Sequence, residues 1–275
     1  MINFDGKCYS RFKDVPEQLL FHLTNLPVHT HHLLSFQAEF FLLEAHYFSI
    51  MAALRQSRVE IPMQYSLTFF KEQMQQLNDY LTVNTEIQCF SLKFYRTHNS
   101  TTDKTVSPIC FVMQLYEISW ESKDLNLTLY KDHYVFSNDY SNLFQTNASL
   151  RELGQVFAYE NGFGAALLLN NHRRLVESTH GAVFLFHEGK IQTPALNEGA
   201  FNAVLRRALI DFLNKESEWE VIETEIPIFS IQQAQEVFLI SSDHGWIQIN
   251  QFRKKKFEKL ISELIYKKFL IHLKS

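Results

Sequence analysis

A small set of side chains in this chain could do chemistry, and their types and spacing limit what that chemistry is. His29, His31 and His32 lie within four residues of one another, a density that raises metal binding. On a strand His29 and His31 face one way and His32 the other, and no third or fourth ligand accompanies them, so packed or solvent-facing histidines are expected and no metal. Glu177 follows Leu175 and Val176 on an expected strand, where a glutamate is exposed, paired or functional. Ser241 and Ser242 close another apolar run, as serines at a strand end commonly do. Cys8, Cys89 and Cys110 are odd in number and far apart, forming neither a metal spacing nor a disulfide framework; a reducing cytoplasm suits them. Arg253–Lys256 is a short basic run, expected at the solvated start of the last helix. Nucleophile-elbow, P-loop, HExxH and CxxC patterns are absent.

The elements that must position these residues follow from periodicity. The 275 residues are 46% hydrophobic, enough for a substantial core in one large or two ordinary domains. A net charge of −4 gives no electrostatic footprint for nucleic acid. No apolar run approaches the roughly 20 residues of a membrane span, and the N-terminus lacks a signal-peptide layout. Strands are expected at each side of Asp5-Gly6, over 31–43, 87–96, 109–118, 125–130, 165–169 and 177–187, in a hairpin about Glu188-Gly189, and over 237–241 and 246–250. Helices are expected over 44–55, 66–80, 148–161, 199–214 and 231–235. The final amphipathic helix is expected to bury Phe257, Leu260, Ile261, Leu264, Ile265, Phe269 and Leu273. A polar loop is expected over 97–105, and the polar stretch 119–126 divides an N-terminal lobe, 1–121, from a C-terminal lobe, 122–275. The mixture without strict βαβ alternation is α+β.

Four blocks in register then carry a family pattern: GFGAALLLN (162–170), VESTHGAVF (176–184), TPAL (193–196) and GAFNAVLR (199–206). Weaker echoes are FFLLEAHYFSIMAAL (40–54), FSLKFYR (90–96) and EVFLISSDHG (236–245). Together they resemble the fold-type IV, pyridoxal-phosphate-dependent aminotransferases and lyases, such as branched-chain and D-amino-acid aminotransferases and aminodeoxychorismate lyase. The resemblance implies two α/β lobes, a cofactor site between them, a homodimer and a small amino-acid- or keto-acid-like ligand.

Carried over residue by residue, the resemblance gives an incomplete site. Glu177 takes the place of the carboxylate that keeps the cofactor's pyridine nitrogen protonated, with Thr179 in the same block. Val204 and Leu205 stand at the phosphate turn, and Ser241 and Ser242 in the second hydroxyl segment. The Schiff-base lysine lies three or four residues before an asparagine; with Asn147 as that asparagine, the position is Phe144, or Leu143 for a longer loop. No lysine occurs between Lys131 and Lys190. The phosphate arginine of the first long helix falls at Ser49, three after His46, and Arg206 matches an arginine whose family role is structural. The block asparagine is Ala182, and the turn glycine and threonine are Ala203 and Leu205. The early loop that carries glycines in the family falls near His29–His32. Only 8 glycines occur, against roughly 19 at average usage of about 7%. The resemblance therefore implies pyridoxal phosphate as the family cofactor, with no catalytic residue and weakened phosphate contacts. Lys93, Lys131 and Lys190 are the candidates for a displaced lysine.

Overall fold

The computed structural model describes residues 1–37, 39–80, 87–97, 107–118, 123–216 and 218–274, and the side chains of all of these but 18, 80, 107 and 123. The chain forms two compact units, Met1–Ile118 and Ser119–Ser275. The expected loop at 97–105 lies outside the described residues apart from Thr97; of the polar stretch 119–126 expected to divide the lobes, 119–122 also lie outside them and 123–126 are strand.

In the first unit, Asp5 and Gly6 turn the chain between β1 (Ile2–Phe4) and β2 (Lys7–Tyr9). A single helical turn, α1 (Glu17–Leu20), precedes β3 (His29–Phe36) and the short β4 (Glu39–Phe40). The long helices α2 (Leu43–Gln56) and α3 (Leu67–Tyr80) flank β5 (Val59–Glu60), and β6 (Ile87–Arg96) and β7 (Ser107–Glu117) complete the unit. The sheet runs β2-β1-β7-β6-β3-β4, antiparallel throughout, with β5 added parallel to β7. Tyr65, Phe70, Phe94 and Phe111 pack edge-to-face or tilted around the core that α2 and α3 cover. His29, His31 and His32 lie on β3, as histidines on a strand, with His29 and His31 buried and His32 half-buried. β3 pairs antiparallel with β6 over its full length.

The second unit opens with β8 (Lys123–Leu129), an irregular stretch and α4 (Ala148–Glu160). Next come β9 (Ala165–Leu169), β10 (Leu175–Ser178), β11 (Ala182–His187), β12 (Lys190–Pro194), α5 (Val204–Glu216) and β13 (Glu220–Thr224). It closes with α6 (Ser230–Gln233), β14 (Glu236–Ser241), β15 (Gly245–Phe252), β16 (Lys255–Lys256) and α7 (Leu260–Lys274). The sheet order is β10-β9-β8-β15-β14-β11-β12-β13, with β16 on β15. Both faces of β9 are covered: Ala165, Leu167 and Leu169 enter one core, Ala166 and Leu168 another beside α4. That explains an unbroken apolar run where a half-exposed strand would alternate.

Four expectations are corrected. The run 177–187 is two strands, interrupted by a turn at 179–181. The helix expected over 199–214 begins at Val204, because Gly199 takes a left-handed φ of 102° at the end of a preceding 3-10 turn. The basic run 253–256 makes the hairpin between β15 and β16, with Arg253 at φ 54°, and precedes the helix. Finally, α7 buries Ser262, Ile265 and Phe269, while Leu260 and Leu264 face outward and Phe257 lies before the helix.

Candidate functional site in the C-terminal unit

The expected lysine position lies in a 3-10 turn, Phe144–Asn147, that runs directly into α4. Asn147 is buried and donates to the Ser141 carbonyl at 3.4 Å; its side chain does not cap α4. Leu143 and Phe144 are both half-buried. The Phe144 ring meets Phe201 edge-to-face at 5.5 Å between centroids. An aromatic ring has no lone pair to attack a carbonyl carbon and no proton to transfer.

The inward face of α4 carries Arg151, Gly154 and Ala158. These are spaced three and four apart, one helical face. A Cβ at Gly154 would stand 3.0 Å from Thr179 and 3.1 Å from Leu168, so the bare backbone lets α4 lie close to β9 and the end of β10. Close approach brings Arg151 to Glu177. Nε donates to Glu177 Oε1 at 3.0 Å and Nη2 to Oε2 at 3.2 Å. The third nitrogen, Nη1, donates to the Phe144 carbonyl at 2.5 Å. The guanidinium carbon lies 4.8 Å from the Phe144 ring centre and 5.4 Å from that of Phe201. Arg151 is 8% exposed and Glu177 2%. A paired-fork contact of this kind is among the strong hydrogen-bonded arrangements available to a carboxylate.

Arg151 was absent from the sequence-based site. A signal for it exists: an arginine at the same helical face as Gly154 and Ala158 must be buried, and a buried guanidinium needs an acid. Its partner, 26 residues away, could not be assigned without knowing which strand α4 covers.

The remaining expected positions lie as follows. Thr179 Oγ1 donates to Gln155 Oε1 at 2.6 Å and accepts from the Ala166 amide at 3.1 Å, tying α4 to β9. Val204 and Leu205 occupy the first turn of α5 and are buried. Ser241 and Ser242 are half-buried at the end of β14; Ser241 Oγ accepts from the His244 amide at 3.1 Å. Ala182 begins β11 opposite Ile240. Arg206 is buried, donating to the Pro194 carbonyl at 2.7 Å and to Glu223 at 2.6 Å. Ser49 is half-buried on α2, in the other unit. Lys190 pairs with Glu220 at 2.9 Å, and Lys131 is exposed. Among the described residues no cluster of three or more His, Cys, Asp or Glu could hold a metal ion, and no helix is long and apolar enough to cross a membrane.

The model of amino-transferase class IV matches residues 32–252, well over half of the chain. The chain belongs to the class IV aminotransferase family. A probable branched-chain-amino-acid aminotransferase of Aquifex aeolicus is 34% identical over 87 residues, covering 32% of this chain and 28% of that protein. A counterpart in Thermotoga maritima is 29% identical over 91 residues, 33% of each. The chain thus spans about a third or less of the length of these relatives. Solved folds agree over nearly the whole chain. The branched-chain aminotransferase of Thermoproteus uzoniensis, crystallised with norvaline, superposes with a TM-score of 0.83 at 13% identity, covering 99% of this chain and 94% of that one. The Thermobaculum terrenum enzyme in its PLP form gives 0.80 at 15%, covering 99% and 93%. A putative 4-amino-4-deoxychorismate lyase of Legionella pneumophila gives 0.76 at 18%, covering 90% and 91%. At such identities the likeness establishes the α+β fold of class IV aminotransferases, as the sequence blocks implied.

Proposed function

We propose that this chain keeps the class IV aminotransferase fold but has lost Schiff-base chemistry, and acts as a homodimeric ligand-binding, regulatory or partner-stabilising protein. The observation that carries this reading is Phe144, a ring packed on Phe201 where the family places its amine. Pyridoxal phosphate, when bound, supplies an electron sink for charge developing at a substrate carbon. The residues present do not fit it. No lysine lies between 131 and 190, the first turn of α5 offers Val204 and Leu205 in place of hydroxyls, and the Thr179 hydroxyl is already committed to Gln155. No catalytic step is therefore derived through the cofactor. The ligand class kept by this reading is a small amino-acid- or keto-acid-like molecule.

A second reading is an active aminotransferase or aminodeoxychorismate-lyase-like enzyme with a displaced lysine. Its candidates are Lys93, Lys131 and Lys190; Lys131 borders a cavity of about 160 Å³ with Thr128, Phe163 and Arg253, which neither Glu177 nor Phe144 lines. One experiment separates the two. The protein is incubated with pyridoxal phosphate, reduced with borohydride and mapped by peptide mass spectrometry. Only scattered, substoichiometric modification of solvent lysines is expected. One stoichiometric pyridoxyl-lysine, at Lys93, Lys131 or Lys190, would establish the second reading.

A further inference from the structure

We propose that Arg151 is an internal occupant of the cofactor's place at Glu177: its guanidinium closes the carboxylate that would otherwise receive a protonated ring nitrogen, and thereby excludes pyridoxal phosphate. The proposal rests on the reading of Glu177 given above and deepens it, since it names what replaced the ring.

The geometry carries three steps. First, both Glu177 oxygens are engaged from one edge, at 3.0 and 3.2 Å, and the residue has 2% of its surface exposed. A pyridinium offers one N–H; to reach either oxygen along that edge it must displace two guanidinium donors. Second, the displaced cation would have nowhere to go at low cost. Arg151 is itself buried, and a buried charge without its partner is strongly unfavourable. Third, the guanidinium is flanked by flat aromatic surfaces, 4.8 Å from Phe144 and 5.4 Å from Phe201, as a planar cation prefers.

The same arginine also joins the retained carboxylate to the turn from which the family lysine is missing. Its third nitrogen holds the Phe144 carbonyl at 2.5 Å. The turn that would present a lysine is therefore fastened to the carboxylate that would hold the ring. Phe144 and Arg151 are seven residues apart, on the turn and on α4 that continues it, so replacing one without the other would leave a gap over the ring or an unpaired acid.

The test uses the full chain and pyridoxine 5′-phosphate, which has the ring nitrogen and phosphate but no aldehyde, so binding does not depend on any lysine. Wild-type protein is expected to show no shift in Tm and no calorimetric binding at millimolar pyridoxine 5′-phosphate. Arg151→Ala is expected to lower Tm by several degrees, to regain part of the loss with millimolar methylguanidinium but not with an equal concentration of sodium, and to bind pyridoxine 5′-phosphate at least tenfold more tightly than wild type. Should Arg151→Ala fold only with methylguanidinium present, that dependence supports the proposal equally. The double variant Arg151→Met with Glu177→Gln is expected to recover stability and lose the methylguanidinium response. Wild-type binding as tight as that of Arg151→Ala, or a Tm of Arg151→Ala indifferent to methylguanidinium, overturns the proposal. Either result leaves the Schiff-base question untouched, because borohydride trapping reads the lysine and this experiment reads the carboxylate.

Discussion

Asn170 and Glu198 are joined twice: Asn170 Nδ2 donates to the Glu198 backbone carbonyl at 3.1 Å and to its carboxylate at 2.7 Å. Asn170 Oδ1 meanwhile accepts from the amides of His172 and Arg174, both at 3.0 Å. A fully buried amide with four hydrogen bonds thus pins the turn after β9 to the 3-10 turn that precedes α5. The asparagine that ends the GFGAALLLN block therefore positions the segment leading into α5 through Glu198 and the bend at Gly199.

That relationship makes Asn170 a stability determinant. Asn170→Ala leaves two amides, the Glu198 carbonyl and a buried carboxylate oxygen short of partners and is expected to cost about 3 kcal/mol. Asn170→Asp keeps the shape but sets two carboxylates against each other. It is expected to be the worse of the two at neutral pH and to improve on mild acidification, when one proton can bridge the pair. Denaturant unfolding of both variants at the two pH values checks this. Equal stabilities at both would refute the argument.

Glu236 opens the EVFLISSDHG block, and its role is likewise structural. Its two carboxylate oxygens accept from the amides of Ile261 and Ser262, at 2.8 and 2.7 Å, at the start of α7. The residue is 1% exposed, and an acid is well placed against the partial positive charge of a helix N-terminus. Glu236→Gln keeps one acceptor and is expected to lose about 1–2 kcal/mol; Glu236→Ala keeps none and is expected to lose roughly 3 kcal/mol. Hydrogen exchange at the first turn of α7 should rise in the same order. Protection unchanged in Glu236→Ala would show that packing alone orders this turn.

Particular elements show why some of the fold was legible in the sequence. β9 is a short unbroken apolar run, and the hairpin at Glu188-Gly189 has a glycine at its second turn position, φ 78°; both are local signals. The register of α7 is not local. Counting apolar residues turned Leu260 and Leu264 inward, whereas Glu236, distant in sequence, grips the first turn so that Ser262 faces in and Leu260 is 77% exposed. The site divides the same way. The absence of an amine at Phe144 is readable from the chain alone. What fills the position is not, because the Arg151–Glu177 pair depends on how closely Gly154 lets one helix approach one strand.

His29 gives the N-terminal unit a pH dependence. It is 3% exposed on β3, its ring 6.2 Å from Phe94 and 5.5 Å from His31, and its Nε2 has no hydrogen-bond partner among the described residues. Burial, and secondarily the charge of His32, push its pKa down from 6.5 to about 4. The folded unit therefore keeps His29 neutral through a range in which the unfolded chain binds a proton. Stability attributable to this residue is intact above about pH 6.5 and is lost progressively as pH falls toward 4, a total on the order of 3 kcal/mol at about 1.4 kcal/mol per unit. His29→Leu removes the titrating group while keeping an apolar side chain against Phe94. The difference in unfolding free energy between variant and wild type should then shift in favour of the variant by most of that amount across this window. Parallel stability curves for the two proteins would mean that His29 takes up its proton alike in the folded and unfolded chain and that burial does not control its charge.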